Sequence, residues 1–488
     1  MATKIISLGC FLVLTTWAIS QEYFYKTYGG NGYDVGMDVI QLESDSSYVI
    51  VGSSSSSGQS PNQVLLMQVD KLGNFMNAHF FGGERSDIGV KVMHKENEGY
   101  WIAGYSNSFS NNANYDFYLI KLNENFEFQW QQTYGTNNWE RLWDAVLLPD
   151  NGVLLVGEVE GEGHAGKDAF VVRTDENGDA VWQETYSGLE DDVVYACALF
   201  DASSVLIAGK WGTTTSDAWM ARIDFNGNII WSRTDYLVGQ GTGEISGLVK
   251  TDERIYIHGN YTPNPFQEDN YRSFRIMCQL DGTVFLPTHF YFENSLMESM
   301  VGICAVEPNN VIGVVETQNP SFVLNNGPRA LLYGYNINLD YVGYNHTVFG
   351  SKINLKRIIK SIDSPGYFVI VGYTGDAGME IGGASVVLIK LDNQISSLET
   401  VTNSSILALD SFEEIGFSFY PNPSNAVVNI QLPDELQAIT FVVYDAVGQK
   451  VMSGFYQSEL DFSSLSAGQY QLVLETNQGL KALRFQKN

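Results

Sequence analysis

Three observations predict an all-β fold. A unit of about fifty residues recurs seven times between Gln21 and about Gln394. Each unit holds short runs of aromatic and aliphatic residues punctuated by Gly, Asn and Asp, which are strand and turn signals. No stretch carries the apolar period of a helix. Four strand-like runs per unit at this period predict a seven-bladed β-propeller of four-stranded blades.

The second unit shows the pattern most plainly. Val90–Met93 reads as its first strand, Lys95–Gly99 as a turn and Tyr100–Gly104 as its second strand. After a long polar loop come Phe117–Leu122, a tight turn at Asn123–Asn125 and the fourth strand Phe128–Tyr134. The third strand recurs as Leu65–Asp70, Phe170–Asp175, Trp219–Asp224, Phe274–Leu280, Leu331–Tyr335 and Val386–Asp392. Second strands end at Gly52, Gly104, Gly157, Gly209, Gly259 and Gly372, with Val315 in the sixth unit. They are apolar on both sides, as expected of a sheet packed between two others. The segment Glu22–Tyr28 matches a fourth strand but precedes the first complete unit, and no such strand follows the seventh third strand. It is predicted to complete the last blade and leave no open edge.

The fourth strands read Trp130-Gln131-Gln132-Thr133-Tyr134-Gly135 and Trp182-Gln183-Glu184-Thr185-Tyr186. The marks of WD repeats and the spacing of kelch repeats are missing. The units resemble the Trp-x-x-Thr-Tyr-Gly-Gly repeats of bacterial secreted propellers, over about three quarters of the chain. That resemblance implies a fold and no single activity.

A net charge of -29 argues against nucleic acid, because little here could neutralise a phosphate backbone. Residues 1–20 read as a secretory signal: Lys4, an apolar core from Ile5 to Ile19, and Ala18-Ile19-Ser20 before Gln21. No later segment has the unbroken apolar length of a membrane span. Cys197, Cys278 and Cys304 form no Cys-x-x-Cys pair and sit in apolar runs, which predicts buried free thiols. The expected domains are the propeller at 21–394, a linker at 395–414 and a β-sandwich at 415–488.

The last of these contains Phe419-Tyr420-Pro421-Asn422-Pro423, then Val443-Tyr444-Asp445-Ala446-Val447-Gly448-Gln449-Lys450, and then Ala467-Gly468-Gln469-Tyr470. Alternating strands separated by these turns predict a small antiparallel sandwich. The order, the spacing and the terminal position resemble the type A sorting domain of the type IX secretion system of Bacteroidetes. The resemblance implies a translocon as partner and a secreted or outer-surface location. Tyr420, Pro421, Asn422, Pro423, Gly448, Gly468 and Tyr470 carry it.

Six residues after the aromatic of each Tyr-Gly-Gly corner stand Asp34, Asp87, Glu140, Asp192 and Glu298, with Glu244 in the fifth unit and Leu355 in the seventh. The carboxylates are expected around the channel mouth, where a ring of them could hold Ca²⁺ or a cationic ligand. Alternatively each accepts N–H bonds from its own turn. Recurrence in nearly every unit favours the second role, and no other cofactor is implied. The loops between second and third strands are long and vary, which suits a binding face for a glycan or protein. Aromatics expected there are Trp139, Trp211, Tyr261, Phe266, Tyr271, Phe109 and Tyr115. The six histidines share no repeat position, and no nucleophile elbow or phosphate loop is present. A binding propeller is therefore the leading expectation. A polysaccharide-acting enzyme using Asp34, Asp87 or Glu140, and a structural surface component, are the alternatives.

Overall fold

The computed structural model describes residues 24–30, 32–56, 61–110, 112–161, 166–189, 191–212, 216–237, 242–262, 272–286, 298–306, 310–317, 329–335, 346–348, 353–364, 366–374, 384–392, 418–420, 426–432, 438–445, 450–476 and 479–488. Every regular element among them is a strand except a 3-10 turn at Asp235–Leu237.

The strands up to Asp392 pair into four-stranded antiparallel sheets, here given strands a to d. Blade 1 is Asp34–Gln41, Tyr48–Ser54, Gln63–Val69 and Phe75–Phe81, and blade 2 is Asp87–Lys95, Gly99–Ser106, Asp116–Leu122 and Phe128–Tyr134. Blade 3 is Glu140–Leu147, Val153–Glu160, Lys167–Thr174 and Ala180–Tyr186. Blade 4 is Val193–Asp201, Ser204–Gly212, Ser216–Asp224 and Ile229–Arg233, and blade 5 is Thr242–Lys250, Ile255–Thr262, Arg272–Cys278 and Val284–Leu286. The closing blade takes Ile353–Lys360, Tyr367–Thr374 and Ser385–Asp392 from one end of the propeller segment and Phe24–Tyr28 from the other. Phe24 pairs with Lys390 and Tyr28 with Val386, so the N-terminal strand completes this blade as its sequence position implies. These six blades have described side-chain cores, and a further four-stranded sheet spanning 298–348 is described by its backbone pairing. The a strands contact one another in chain order and the last returns to the first, which makes the arrangement a ring.

The cores lie between blades. Val51, Leu66, Ile102 and Ile120 form one cluster from blades 1 and 2, and Trp101, Leu119, Leu155 and Phe170 form the next from blades 2 and 3. Each fully buried side chain of this size contributes about 1.5–3 kcal/mol of transfer free energy. Sheets covered on both faces need apolar b and c strands, and Tyr48–Ser54 is buried throughout.

Every a strand carries a β-bulge at the same place, at Met37, Val90, Trp143, Tyr195, Ser246, Val301 and Lys356. The bulge explains the repeated glycine of the b strands. It pushes a carbonyl of the a strand over that position, so a Cβ at Gly52 would lie 1.7 Å from Val35 O and one at Gly157 would lie 2.0 Å from Arg141 O.

The aromatic corners clasp neighbouring blades. Tyr28 Oη donates to Gly73 O at 2.7 Å, Tyr134 to Gly178 O at 2.6 Å, Tyr186 to Gly227 O at 2.9 Å and Tyr236 to Gly282 O at 3.2 Å. Each acceptor is a positive-φ glycine in the c–d turn of the following blade. The tryptophan four residues before Tyr134 or Tyr186 packs on the same turn, and Trp182 Nε1 donates to Phe225 O at 2.9 Å. The Trp-x-x-Thr-Tyr repeat is thus an inter-blade fastening.

The C-terminal strands form a second unit. Ser418–Tyr420, Val427–Gln431 and Glu459–Asp461 make one sheet, and Lys450–Phe455, Ala438–Asp445, Gly468–Thr476 and Gly479–Lys487 make the other. Val428, Ile430, Leu460, Val443, Leu472, Leu474 and Phe485 share one core between them, a sandwich as expected. Tyr470 stacks on Phe485 and donates to Ser466 O at 2.9 Å. Residues 1–20, the segment 395–414, Pro421, Asn422, Pro423 and Gly448 lie outside the described residues.

Candidate functional site at the channel mouth

The bulge gives an exact register for comparing blades, and it revises the carboxylate row. Three residues before the bulge stand Asp34, Asp87, Glu140, Asp192 and Glu298, but Gly243 in blade 5 and Ile353 in the closing blade. Glu244 and Leu355, counted into this row from sequence spacing, are displaced from it by one and two residues because the loops before them differ in length.

Most of these carboxylates are committed to their own corners. Asp34 accepts from Gly30 N at 2.7 Å, from Ser56 Oγ at 2.8 Å and from Ser54 Oγ. Asp87 accepts from Gly83 N at 2.8 Å, from Ser108 Oγ at 2.8 Å and from Ser106 Oγ. Asp192 accepts from Gly188 N and from Gly212 N at 2.6 Å. Among the described residues no three His, Cys, Asp or Glu side chains come together to hold a metal ion. Asp34, Asp87 and Asp192 are thus held by their own turns.

One residue beyond the bulge lies the row that faces the axis. It reads Asp38, Lys91, Asp144, Ala196, Gly247, Gly302 and Arg357. Lys91 Nζ lies 2.9 Å from Asp144 Oδ1 and 3.9 Å from Asp38 Oδ2, and Arg357 Nε lies 3.4 Å from Asp38 Oδ1. The Arg357 side chain keeps 42% of its surface open. Asp38 also accepts from Val92 N, and Asp144 from Cys197 N, each at 3.1 Å. These aspartates satisfy edge N–H groups of the next a strand. His258 fills the space left by Gly247, and burial, then Arg357, pushes its pKa down to about 3.

Above that row, blades 2 to 5 build an aromatic and charged band. Trp139 is 49% exposed and meets Tyr115 edge-on at 5.2 Å, and Tyr115 meets Tyr105 at 5.3 Å. The Arg141 guanidinium lies 4.2 Å from the Trp143 ring and 5.7 Å from Tyr105. Trp143 meets Tyr195 at 5.3 Å and donates from Nε1 to Glu158 Oε2 at 3.1 Å. Glu158 Oε1 is paired with Lys167 Nζ at 2.7 Å. Glu244 belongs to the same row as Arg141. Burial pushes its carboxyl up, while Lys210 and hydrogen bonds from Tyr195 and Asn260 pull it back. In blades 1 and 2 the positions of Arg141 and Trp143 hold Val35 and Met37, and Ile88 and Val90.

Of the aromatics expected to be exposed, Trp139 lies in this band. Phe109 is 39% exposed, over a polar cavity at the same end of blade 2. Trp211 is half-buried against Trp219. Tyr261 is 1% exposed and packs edge-on to Phe274, so it belongs to the core. Phe266 and Tyr271 lie outside the described residues. Sequence reasoning missed Tyr105, Arg141, Trp143, Glu158 and Tyr195. The available signal was the change from apolar to charged or aromatic residues at repeat-aligned positions. Cys197, Cys278 and Cys304 are free and buried, as expected.

Residues 418–486 match the family described as "Secretion system C-terminal sorting domain". The chain therefore carries a sorting tail, which implies export to the cell surface or beyond. No helix among the described residues is long and apolar enough to cross a membrane. No curated protein matches the chain. Among solved structures, an ulvan lyase of polysaccharide lyase family PL25 is 10% identical with a TM-score of 0.49, over 75% of this chain and 94% of that one. A puromycin hydrolase is 12% identical with a TM-score of 0.45, over 83% of this chain and 60% of that one. The extracellular domain of a provisionally assigned hybrid two component system from B. thetaiotaomicron is 12% identical with a TM-score of 0.41. That likeness covers 95% of this chain but 57% of the other. With such identities and TM-scores they carry no argument about activity.

Proposed function

We propose that this chain is a binding propeller, exported by the type IX secretion system of Bacteroidetes, that recognises an extracellular glycan through the mouth band of blades 2 to 5. In this reading residues 1–20 are the signal that starts export, 21–394 the propeller, 395–414 a linker and 415–488 the address read by the translocon. The sheet spanning 298–348 is the sixth of seven blades. The observation that carries the reading is the Trp139–Tyr115–Tyr105–Arg141–Trp143–Tyr195 band. The repeated scaffold has no use for it, since other blades place valine, isoleucine and methionine at its key positions. Flat aromatic faces edged by a guanidinium and a carboxylate suit stacking on sugar rings and directional bonds to their hydroxyls.

Glycan-array binding by the full chain tests this. Trp143→Ala and Trp139→Ala together should abolish binding while circular dichroism stays unchanged. Undiminished binding by that double variant overturns the reading, and capture of a protein but no glycan moves it to a protein ligand. A second reading rests on Glu158 and Glu244: one carboxylate is held by a lysine and the other is raised by burial, the division that acid–base chemistry on a polysaccharide requires. Polysaccharide turnover that disappears in Glu158→Gln would favour it.

A further inference from the structure

The corner between blades 2 and 3 departs from the others in its chemistry. At the corners before blades 1 and 3, the carboxylate that opens the a strand lies close to the residue just before the c-strand partner of the corner aromatic. Before Asp34 that residue is Ser385, and the aligned residue before Asp87 is Gln63, both neutral. Before Asp192 it is Asp168, which accepts a hydroxyl from Ser187 Oγ at 2.7 Å. Before Glu140 it is Asp116, and the position of Ser187 is taken by Gly135.

Two acceptors therefore face each other. A Cβ on Gly135 would lie 2.5 Å from Asp116 Oδ1 and 2.7 Å from Glu140 Oε2, so both oxygens crowd the same point. Both atoms are buried and no other residue gives either of them a hydrogen-bond donor; only a proton on one carboxyl lets it bond to the other. Glu140 is 1% exposed, and only its other oxygen is satisfied, by Thr136 N at 2.9 Å and Thr136 Oγ1 at 2.5 Å. In blades 1 and 2 a b-strand serine, Ser54 or Ser106, supplies a hydroxyl to the corner carboxylate. In blade 3 that residue is Val159, which has none to give.

Beside the pair is a cavity of about 220 Å³ whose walls include Asp116, Gly135 and Thr136, together with Asn112, Asn114 and Asn137. Asn114 directs its Nδ2 to Asn137 O at 2.7 Å, and Asn112 directs its Nδ2 to Asn137 Oδ1 at 3.5 Å. Their own side-chain oxygens are left as acceptors. The described lining is thus rich in oxygen and includes no Lys, Arg or His.

We propose that Asp116 and Glu140 bind a divalent cation of the calcium type, with side-chain oxygens of the asparagine-lined cavity and water completing the shell. A hard cation takes six to eight oxygens, and two facing carboxylates are stabilised by a positive charge between them. Two charged ligands place the affinity in the range of extracellular modules, about 10⁻⁴–10⁻³ M. The site would tie the loop carrying Phe109 to the corner of blade 3, next to Tyr115 and Trp139.

The test is calcium titration of the full chain by calorimetry at pH 7. One equivalent should bind in the stated range. Asp116→Asn and Glu140→Gln each replace an oxygen by an amide that can donate to the remaining carboxylate, so both should fold with undiminished stability. Both should lose saturable binding, by tenfold or more. No saturable binding to the wild type at roughly tenfold above that range, or equal affinity in both variants, overturns the proposal. Either result would leave a pair that only shares a proton.

Discussion

The clasp between Tyr134 and Gly178 offers the sharpest test of how the ring is held. Tyr134 is 5% exposed and its hydroxyl reaches Gly178 O at 2.6 Å across the blade interface. Tyr134→Phe keeps the ring and its packing and removes only the donor. A hydrogen bond contributes about 0.5–1.5 kcal/mol net, and a buried carbonyl left without a donor costs about 1–3 kcal/mol. The expected loss is therefore about 1–2 kcal/mol, read as a lower urea midpoint with an unchanged slope. Tyr186→Phe should behave alike, since its bond to Gly227 O is 2.9 Å long. The protein contains its own control. At the corner before blade 2 the aromatic is Phe81, and the c–d turn of blade 2 carries Phe126 at a φ of 62° in place of glycine. Phe81 brings no hydroxyl to that turn and meets it through the apolar cluster that includes Phe126. Unchanged midpoints for both Tyr134→Phe and Tyr186→Phe would refute the clasp as a stabilising element and leave the repeated tyrosine unexplained.

Three further outcomes are expected. Gly178→Ala should destabilise more than Gly227→Ala in urea titrations: both have positive φ, but a Cβ at Gly178 lies 2.6 Å from the Trp130 ring whereas at Gly227 the nearest atom is 3.5 Å away; the second should cost about 1 kcal/mol. Gly247→Ala should cost more still, about 1–3 kcal/mol as an overpacked core does, because its Cβ would lie 2.1 Å from His258 Nε2. Glu140 is raised from 4.5 to about 7 by burial, so the folded state holds its proton more tightly than the unfolded chain. Its contribution is complete below about pH 4.5 and lost as pH rises through about 7, and melting in calcium-free buffer should show that loss in the wild type and a flatter profile in Glu140→Gln.

The ring was legible because repetition multiplies weak strand signals. The closing strand Phe24–Tyr28 could be placed from its order alone, and the b-strand glycines marked the bulges without revealing them. What the spacing did not convey was the register of blades 5 and closing. A count of six residues assumes corners of one length, and the 3-10 turn at Asp235–Leu237 breaks that assumption. The band at the mouth was hidden for a different reason. Arg141 and Glu158 are adjacent only through cross-strand pairing, and Trp143 points to the mouth because it is the bulged residue. A bulge reverses the alternation of faces, so period-two reasoning assigns such side chains to the wrong side. Tyr261 failed in the opposite direction, since its loop neighbourhood suggested exposure while its pairing with Arg272 holds it inside the sheet.

The distribution of charge around the axis constrains how any ligand is held. Asp38, Lys91, Asp144 and Arg357 compensate one another within the channel wall. At the mouth, Lys167 is paired with Glu158 at 2.7 Å and Lys210 with Asp191 at 3.7 Å, while Arg141 is stacked between Trp143 and Tyr105. The described cations at the mouth are thus already engaged, and the chain as a whole carries -29. Long-range attraction of an anionic ligand is therefore a poor explanation for binding here. Stacking and short directional bonds remain, and neither is screened by salt as exposed charge pairs are. Glycan affinity should accordingly change less than about twofold between roughly 0.05 and 0.5 M sodium chloride, a range over which the screening length falls from about 14 to about 4 Å. A steep fall in affinity over that range would mean that the ligand displaces one of these ion pairs, and would move the binding surface from the aromatic faces to Lys167 or Lys210.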